Sequence, residues 1–263
     1  MPSRLLVSAL LLLVAGVVMS DRRFDYPTFY LLQQMTALVS PAVWSAWSVL
    51  GLGLCAVLIA ALASDDRMAP IASMLWTLVI AGIALQVFKR VWVLPRPLAV
   101  LPPESFRVIG LPLRAGSMPS GHAAMLAALA CALAREAWRR RLPALALVVI
   151  LLGAMGCVAR VAVGVHWPSD VLVGAAVGLL GIVAGDAIDA RWGLRRALST
   201  SLGRRVFAVV QAVAAIVLLV MHTGYPLALA VQWALGVASV ASAGWRWYRA
   251  DHHRAPASPR VPA

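Results

Sequence analysis

The sequence predicts an all-α, polytopic transmembrane helical bundle, and its composition supplies the main evidence. Hydrophobic residues make up 62% of the 263 residues, charged residues make up only 13%, and the mean hydropathy is +0.87. Soluble domains carry about 25% charged residues and about 45–50% apolar ones. The composition therefore excludes a soluble enzyme, a coiled coil, a disulfide scaffold and a disordered chain, and it leaves a membrane protein.

Eight apolar stretches define the predicted helices, because a helix needs about 20 apolar residues to cross a hydrocarbon core of about 30 Å. They lie at residues 4–20, 42–63, 69–94, 121–138, 142–164, 170–190, 206–222 and 226–245. The first stretch is short and follows Arg4, so it is either the first transmembrane helix or a cleaved signal peptide.

The basic residues predict the orientation of the bundle. With the N-terminus inside, the cytoplasmic segments hold 15 of the 23 Lys and Arg residues and the outer side holds the other eight. Since Lys and Arg concentrate in cytoplasmic loops, we expect both termini in the cytoplasm. No soluble domain carries a basic face, so the net charge of +13 does not predict a nucleic-acid partner. The 22 arginines against one lysine are typical of a GC-rich bacterial genome.

Two outer segments and one helix face have distinctive compositions. Residues 21–41 are rich in aromatic residues and predict an interfacial segment. Residues 95–120 form the longest outer loop, in which Glu104, Arg107 and Arg114 either contact a substrate headgroup or are simply solvated. The sixth stretch has small residues at helical spacing, which predict close helix packing: Gly174, Gly178, Gly181 and Gly185.

Three polar segments fall at the ends of these helices and, by the predicted topology, on one outer face. Lys89 ends the third stretch and is followed by Arg96-Pro97. Ser120, Gly121 and His122 open the fourth stretch. The third segment contains Arg160, His166 and Asp170.

Their chemistry indicates a phosphate site. Lys89, Arg96 and Arg160 supply three positive charges, and an arginine can bind two phosphate oxygens at once. Ser120-Gly121 precede a helix whose first amides form an anion site. An imidazole four residues before a carboxylate, as at His166 and Asp170, can be held in one tautomer and remain nucleophilic. A second imidazole, His122, could protonate a leaving alkoxide.

The pattern Lys89-x6-Arg96-Pro97, Pro119-Ser120-Gly121-His122 and Arg160-x5-His166-x3-Asp170 resembles the three-part signature of the type 2 phosphatidic acid phosphatase superfamily. That superfamily includes membrane lipid phosphatases and soluble vanadium haloperoxidases. The resemblance covers about residues 42–190. It implies a six-helix core at 1–190 with the outer loop 95–120. Beyond that core, the apolar stretches predict two additional transmembrane helices at 191–250 without an assigned role, and the composition predicts a Pro-rich, disordered cytoplasmic tail at 251–263.

The resemblance also implies the role of each residue. His166 would attack phosphorus and become phosphohistidine, Asp170 would orient it, and His122 would protonate the leaving oxygen. The phosphoryl oxygens would be held by Lys89, Arg96, Ser120, Gly121 and Arg160. This phosphatase reaction would require no metal or other cofactor, and the sequence offers no cluster of metal ligands. In one departure, Ala159 stands where the family usually has serine, which removes one supporting hydroxyl.

The expected function is therefore that of a lipid phosphatase in a bacterial inner membrane, with its site at the periplasmic face. Few residues outside the predicted transmembrane helices surround the motifs, so the substrate should lie in the bilayer. Undecaprenyl diphosphate is the favoured substrate, and phosphatidylglycerophosphate, phosphatidic acid and lipid A phosphates are alternatives. A lipid phosphotransferase using the same phosphohistidine and a transporter with a phosphate-binding vestibule also remain open, and the sequence does not determine the oligomeric state.

Overall fold

The computed structural model describes residues 2–252, which form twelve α-helices and no β-strand. In chain order these are α1 Pro2–Met19, α2 Arg22–Thr36, α3 Pro41–Leu50, α4 Gly53–Ala63, α5 Ala69–Val91, α6 Pro97–Val100, α7 Gly121–Arg139, α8 Pro143–Ala162, α9 Pro168–Trp192, α10 Leu194–Ser199, α11 Ser201–Val220 and α12 Leu229–His252. The predicted fold class, an all-α transmembrane bundle, is confirmed.

The helices that could cross a membrane correspond to the predicted stretches. In the described part of the chain, α5, α8, α9, α11 and the segment Pro226–Ala250 are each long and apolar enough, and two bent pairs raise the total to as many as seven. The pairs are α1 with α2, bent by 100°, and α3 with α4, bent by 78°. The predicted span at 121–138 forms α7, which is not among these candidates. Twelve of the 19 residues of α7 are buried, so other helices, rather than lipid, surround it.

The predicted interfacial segment forms α2, which turns away from α1 and contacts the ends of α8 and α9. Its buried residues recur at helical spacing and are Asp25, Phe29, Gln33 and Thr36. The Gln33 amide donates to the carbonyl oxygens of Val161 and Ala162 at the end of α8. These contacts place α2 across the end of the bundle that holds the three polar segments.

The glycine face of α9 packs tightly against two helices, as predicted from its small residues. A Cβ atom at Gly174 or Gly178 would lie 2.4 or 2.1 Å from a backbone carbonyl oxygen of the Ser120–Ala124 segment. A Cβ atom at Gly181 or Gly185 would lie 2.8 or 2.7 Å from a side-chain atom of α5. Only residues without a side chain allow this approach, so these contacts fix α9 against α7 and α5.

The outer loop, residues 95–120, folds back on itself through an antiparallel bridge between Pro95 and Ala115. Arg107 and Arg114, for which headgroup contact and solvation were the alternatives, both also bind the protein, and Arg114 is exposed. Their guanidinium groups donate to backbone carbonyl oxygens of α2 and α6, at 3.1 and 2.9 Å respectively.

The C-terminal helices α11 and α12 pack against each other and against α3 and α4. Two buried glutamines join them. Gln211 donates to a carbonyl oxygen of α12 at 3.1 Å, and Gln232 donates to one of α11 at 2.6 Å. Helix α12 extends through Asp251 and His252, where a disordered tail was expected to begin, and the rest of the predicted tail at 251–263 lies outside the described residues.

Candidate active site

The structure brings the three predicted segments together at one end of the bundle. Arg96, from the first segment, lies with its Nη1 atom 3.3 Å from His166 Nε2. Ser120, from the second, donates its backbone N–H to the carbonyl oxygen of Asp170 at 3.0 Å. Residues separated by up to 74 positions in the sequence therefore form one site.

His166 lies between α8 and α9 and is almost completely buried, with 2% of its surface exposed. Its Nδ1 atom lies 3.2 Å from Asp170 Oδ2, which also accepts hydrogen bonds from the Trp167 backbone N–H at 2.8 Å and from the Ser117 hydroxyl. A carboxylate only accepts hydrogen bonds, so this pairing places the imidazole proton on Nδ1 and leaves the lone pair on Nε2.

Arg96 is held rigidly beside that lone pair. Its side chain is buried and donates to three backbone carbonyl oxygens, those of Ala115, Val165 and Gly116, at 2.8, 2.8 and 3.1 Å. These bonds use donors on all three guanidinium nitrogens. The charge of Arg96 is therefore fixed next to His166 Nε2 before any ligand binds.

Arg160 is a buried cation without a counter-ion. Only 2% of its surface is exposed, and its Nε atom has no hydrogen-bond partner. Its Nη1 atom donates to the Tyr225 hydroxyl at 3.2 Å. Within residues 2–252 it forms no ion pair. Since burying an unpaired charge is costly, this arrangement favours binding of an anion.

The start of α7 carries the second predicted segment. Ser120 is its N-cap, and its hydroxyl accepts a hydrogen bond from the Ala123 N–H at 3.4 Å. Gly121 follows, and a Cβ atom there would approach no neighbour more closely than 3.8 Å, which leaves space beside the first amides. The Nε2 atom of His122 is buried without a hydrogen-bond partner, and Gly51, at the break between α3 and α4, packs against the ring.

The charges around His166 keep its imidazole neutral. Burial lowers the pKa of His166 well below its usual value, and the positive charges of Arg96, Arg160 and Lys89 lower it further. Lys89 is half-buried at the end of α5, where its side chain lies over Gly116 of the outer loop. A neutral imidazole whose Nε2 lone pair lies against Arg96, among three cations, is chemically suited to attack a phosphorus centre whose oxygens these cations bind.

Asp25 extends the site toward α2. Its carboxylate accepts hydrogen bonds from both the backbone N–H, at 3.0 Å, and the hydroxyl of Ser169, at the start of α9. Burial raises the pKa of Asp25 to about 6, and the nearby Asp170 also raises it, while the bonds from Ser169 act in the opposite direction. Asp25 thus anchors the turn that carries His166.

Three residues at the site were not predicted from the sequence: Asp25, Ser117 and Tyr225. An acidic residue in an aromatic, interfacial segment was a signal for Asp25, because burying a carboxylate requires partners. The position of Tyr225 between a glycine and a proline marks a turn, but it does not reveal a partner. Nothing in the sequence around Ser117 distinguishes it from a solvated loop residue.

Two further expectations concern ligands and a departure from the family pattern. Among the residues that the structure describes, no group of three or more His, Cys, Asp or Glu side chains could hold a metal ion. Ala159 is fully buried in an apolar cluster that includes Trp44 and Tyr225.

Fold and site together define a helical membrane protein with a buried, cationic pocket around a paired histidine. Residues 70–188 match the family model described as the PAP2 superfamily. The resemblance inferred from the three motifs is confirmed. This match supports the predicted class of enzyme, a phosphatase.

One solved structure, the crystal structure of Aquifex aeolicus LpxE, is similar in fold. The TM-score is 0.53 at 21% sequence identity, and the match covers 64% of this chain and 98% of that chain. At this identity the likeness establishes the fold alone. No curated protein matches the sequence.

Proposed function

We propose that the protein is a membrane lipid phosphatase that hydrolyses a lipid phosphate or diphosphate through a phosphohistidine. The observation that carries this proposal is the pairing of His166 with Asp170 next to Arg160, a buried cation without a counter-ion among residues 2–252. A structural histidine would not require the guanidinium group of Arg96 against its Nε2 atom and a second unmatched cation in the same site. A bound phosphate would supply the missing negative charge.

In the first step, the lone pair on His166 Nε2 attacks phosphorus, a P–N bond forms, and the P–O bond to the leaving group breaks. The leaving oxygen takes a proton from His122, which enters this step as an imidazolium and whose buried Nε2 has no other partner among the described residues. In the second step, water loses a proton to His122 and attacks phosphorus. The P–N bond then breaks, and inorganic phosphate is released.

The cations and the helix N-terminus act on the phosphoryl oxygens. Lys89, Arg96 and Arg160, with the amides that follow Ser120, would bind these oxygens and stabilise the charge that develops during the attack. Removing a single preorganised donor of this kind costs about 10²–10³ in kcat in other enzymes. Asp170 would stabilise the imidazolium character that His166 gains.

The surroundings of the site support a lipid substrate. The site lies at the end of a bundle whose longest helices could cross a membrane, so a phosphate at headgroup depth could reach His166 while its apolar chain stays in the bilayer. The distribution of basic residues favours the periplasmic face of a bacterial inner membrane. Undecaprenyl diphosphate is the favoured substrate, before phosphatidylglycerophosphate, phosphatidic acid and lipid A phosphates.

The test is release of inorganic phosphate from these four lipids by purified protein in detergent, with and without EDTA. We expect activity on at least one lipid, undiminished by EDTA, and no measurable activity in His166→Ala. His222→Ala is a matched control, because His222 is exposed, and it should retain full activity. Wild-type turnover by the His166→Ala variant would refute the proposed nucleophile.

Two further measurements separate the alternatives. Rapid quenching with a ³²P-labelled substrate should trap acid-labile phosphate on the wild-type protein and none on His166→Ala. If a phosphorylated acceptor lipid appears in place of inorganic phosphate, the protein is a phosphotransferase. If substrate crosses proteoliposomes equally well with His166→Ala and no phosphate is released, it is a transporter.

A further inference from the structure

The C-terminal hairpin of α11 and α12 contributes one side chain to the site, although it lies beyond the segment 70–188 that matches the superfamily. The residue is Tyr225, in the turn between these helices, and only 8% of its surface is exposed. Its hydroxyl accepts a hydrogen bond from Arg160 Nη1 at 3.2 Å, and Arg160 Cζ lies 5.9 Å from the centre of its ring. Both the hydroxyl and the ring therefore contact the unmatched cation.

The turn that carries Tyr225 is held by its own hydrogen bonds. The Tyr225 backbone N–H donates to the Thr223 hydroxyl at 3.4 Å, and that hydroxyl donates to Gln232 at 3.3 Å. The amide of Gln232 donates to two carbonyl oxygens at the end of α11, at 2.6 and 2.8 Å. The position of the tyrosine is thus determined by buried contacts of the hairpin.

The outer loop holds the other side of the ring. Gly110 has a φ of +85°, and a Cβ atom there would lie only 2.5 Å from Tyr225 Cε1. The adjacent residue of the loop, Ile109, donates its backbone N–H to the Val163 carbonyl oxygen at 3.1 Å. The ring is therefore enclosed between the loop and the hairpin, so it cannot swing away from Arg160 without moving one of them.

We infer that Tyr225 is a positioning residue for Arg160 at the phosphate site; this inference rests on the proposed function. By accepting from Nη1, the hydroxyl fixes the guanidinium group and leaves Nε available for a phosphoryl oxygen. The aromatic face stabilises the same cation.

The first test compares Tyr225→Phe with Tyr30→Phe, a matched control whose hydroxyl contacts Ser105 at the surface instead of the site. Inorganic phosphate is the probe, and its Kd is measured by calorimetry together with kcat/KM on the lipid substrate. Loss of one hydrogen bond in a charged site corresponds to about a tenfold change or more. We expect Tyr225→Phe to weaken phosphate binding and lower kcat/KM by about tenfold, at an unchanged melting temperature, while Tyr30→Phe matches the wild type.

The second test is a double-mutant cycle, because a positioning residue acts through its partner. In an Arg160→Lys background, Tyr225→Phe should change the Kd for phosphate less than twofold. Full additivity of the two substitutions, or a wild-type Kd in Tyr225→Phe, would overturn the inference. Phosphate binding requires no turnover, so the result is separate from the proposed function. A wild-type protein that binds phosphate but hydrolyses no lipid would refute only that function.

Discussion

Replacement of Gly174 by alanine tests how strongly the site depends on the contact between α7 and α9. A Cβ atom at this position would lie 2.4 Å from the Ser120 carbonyl oxygen, whereas ordinary contact begins at 3.4 Å. The obstacle is backbone, which cannot rotate away, so the helices must separate locally by about 1 Å. Ser120 and His122 lie on one side of this contact, and His166 and Asp170 lie on the other.

The expected cost follows from that displacement. A misplacement of 1 Å can lower catalysis by about 10²-fold, and overpacking of this kind typically destabilises a protein by about 1–3 kcal/mol. We therefore expect Gly174→Ala to lose about 100-fold in kcat while it still folds. The assay is phosphate release from the lipid substrate at saturation, with thermal unfolding measured in the same detergent.

Two other glycines provide controls for Gly174→Ala. Gly82→Ala should have no effect, because an added Cβ atom on α5 has no neighbour within 4 Å. Gly185→Ala places a methyl group 2.7 Å from Trp76 Cβ, more than two helical turns from Gly174. It should lower the melting temperature but spare kcat. A wild-type kcat and melting temperature in Gly174→Ala would refute the reasoning.

Three further predictions concern the polar groups of the site. Ser117→Ala removes the hydroxyl that donates to Asp170 and should lower kcat about tenfold with little change in KM, as measured by steady-state kinetics. Burial and three cations lower the pKa of His166, so the fall of kcat/KM on the acid side of its pH profile should have its midpoint below pH 6.5. Lys89→Gln removes one of these cations, so it should raise the pKa of His166 and move that midpoint to higher pH. A raised pKa of about 6 means that Asp25 stabilises the folded state fully below its unfolded pKa, about 4, and loses this contribution as pH rises through about 6. The melting temperature of Asp25→Asn should therefore rise relative to that of the wild type as the pH increases from 4 to 7.5. A difference between the two melting temperatures that stays constant over this range would contradict the prediction.

The meeting of the three motifs could be predicted from the sequence because topology alone places them. Lys89 ends one apolar stretch, Ser120 precedes the next, and Arg160 and Asp170 flank the connection between two more. In a bundle whose helices alternate in direction, all these ends lie on the same face. The close approach of α9 was predictable for a similar reason, since glycine at helical spacing has few purposes other than packing.

The remaining contacts could not be predicted, because they join segments whose order in the chain says nothing about their distance. Asp25 and Ser169 are 144 residues apart, and Arg160 and Tyr225 are 65 apart. Each contact depends on the angle between helices, such as the 100° bend after α1, which hydropathy does not encode. The same limit applies to Arg107. From the sequence alone, its side chain is equally compatible with solvent, with a headgroup and with the carbonyl oxygen to which it donates.

The arginines at the two ends of the bundle differ in whether they form ion pairs, and this contrast is the strongest physical evidence for an anionic ligand. At the predicted cytoplasmic end, Arg135 pairs with Asp186, and Arg139 pairs with Glu136. At the site, Arg96 and Arg160 are more deeply buried, yet neither forms an ion pair with any described residue. The carboxylate of Asp170 is already engaged by an imidazole, a hydroxyl and a backbone amide. Since a fold that needed these charges only for stability would pair them, we expect the missing counter-charge to come from a bound molecule.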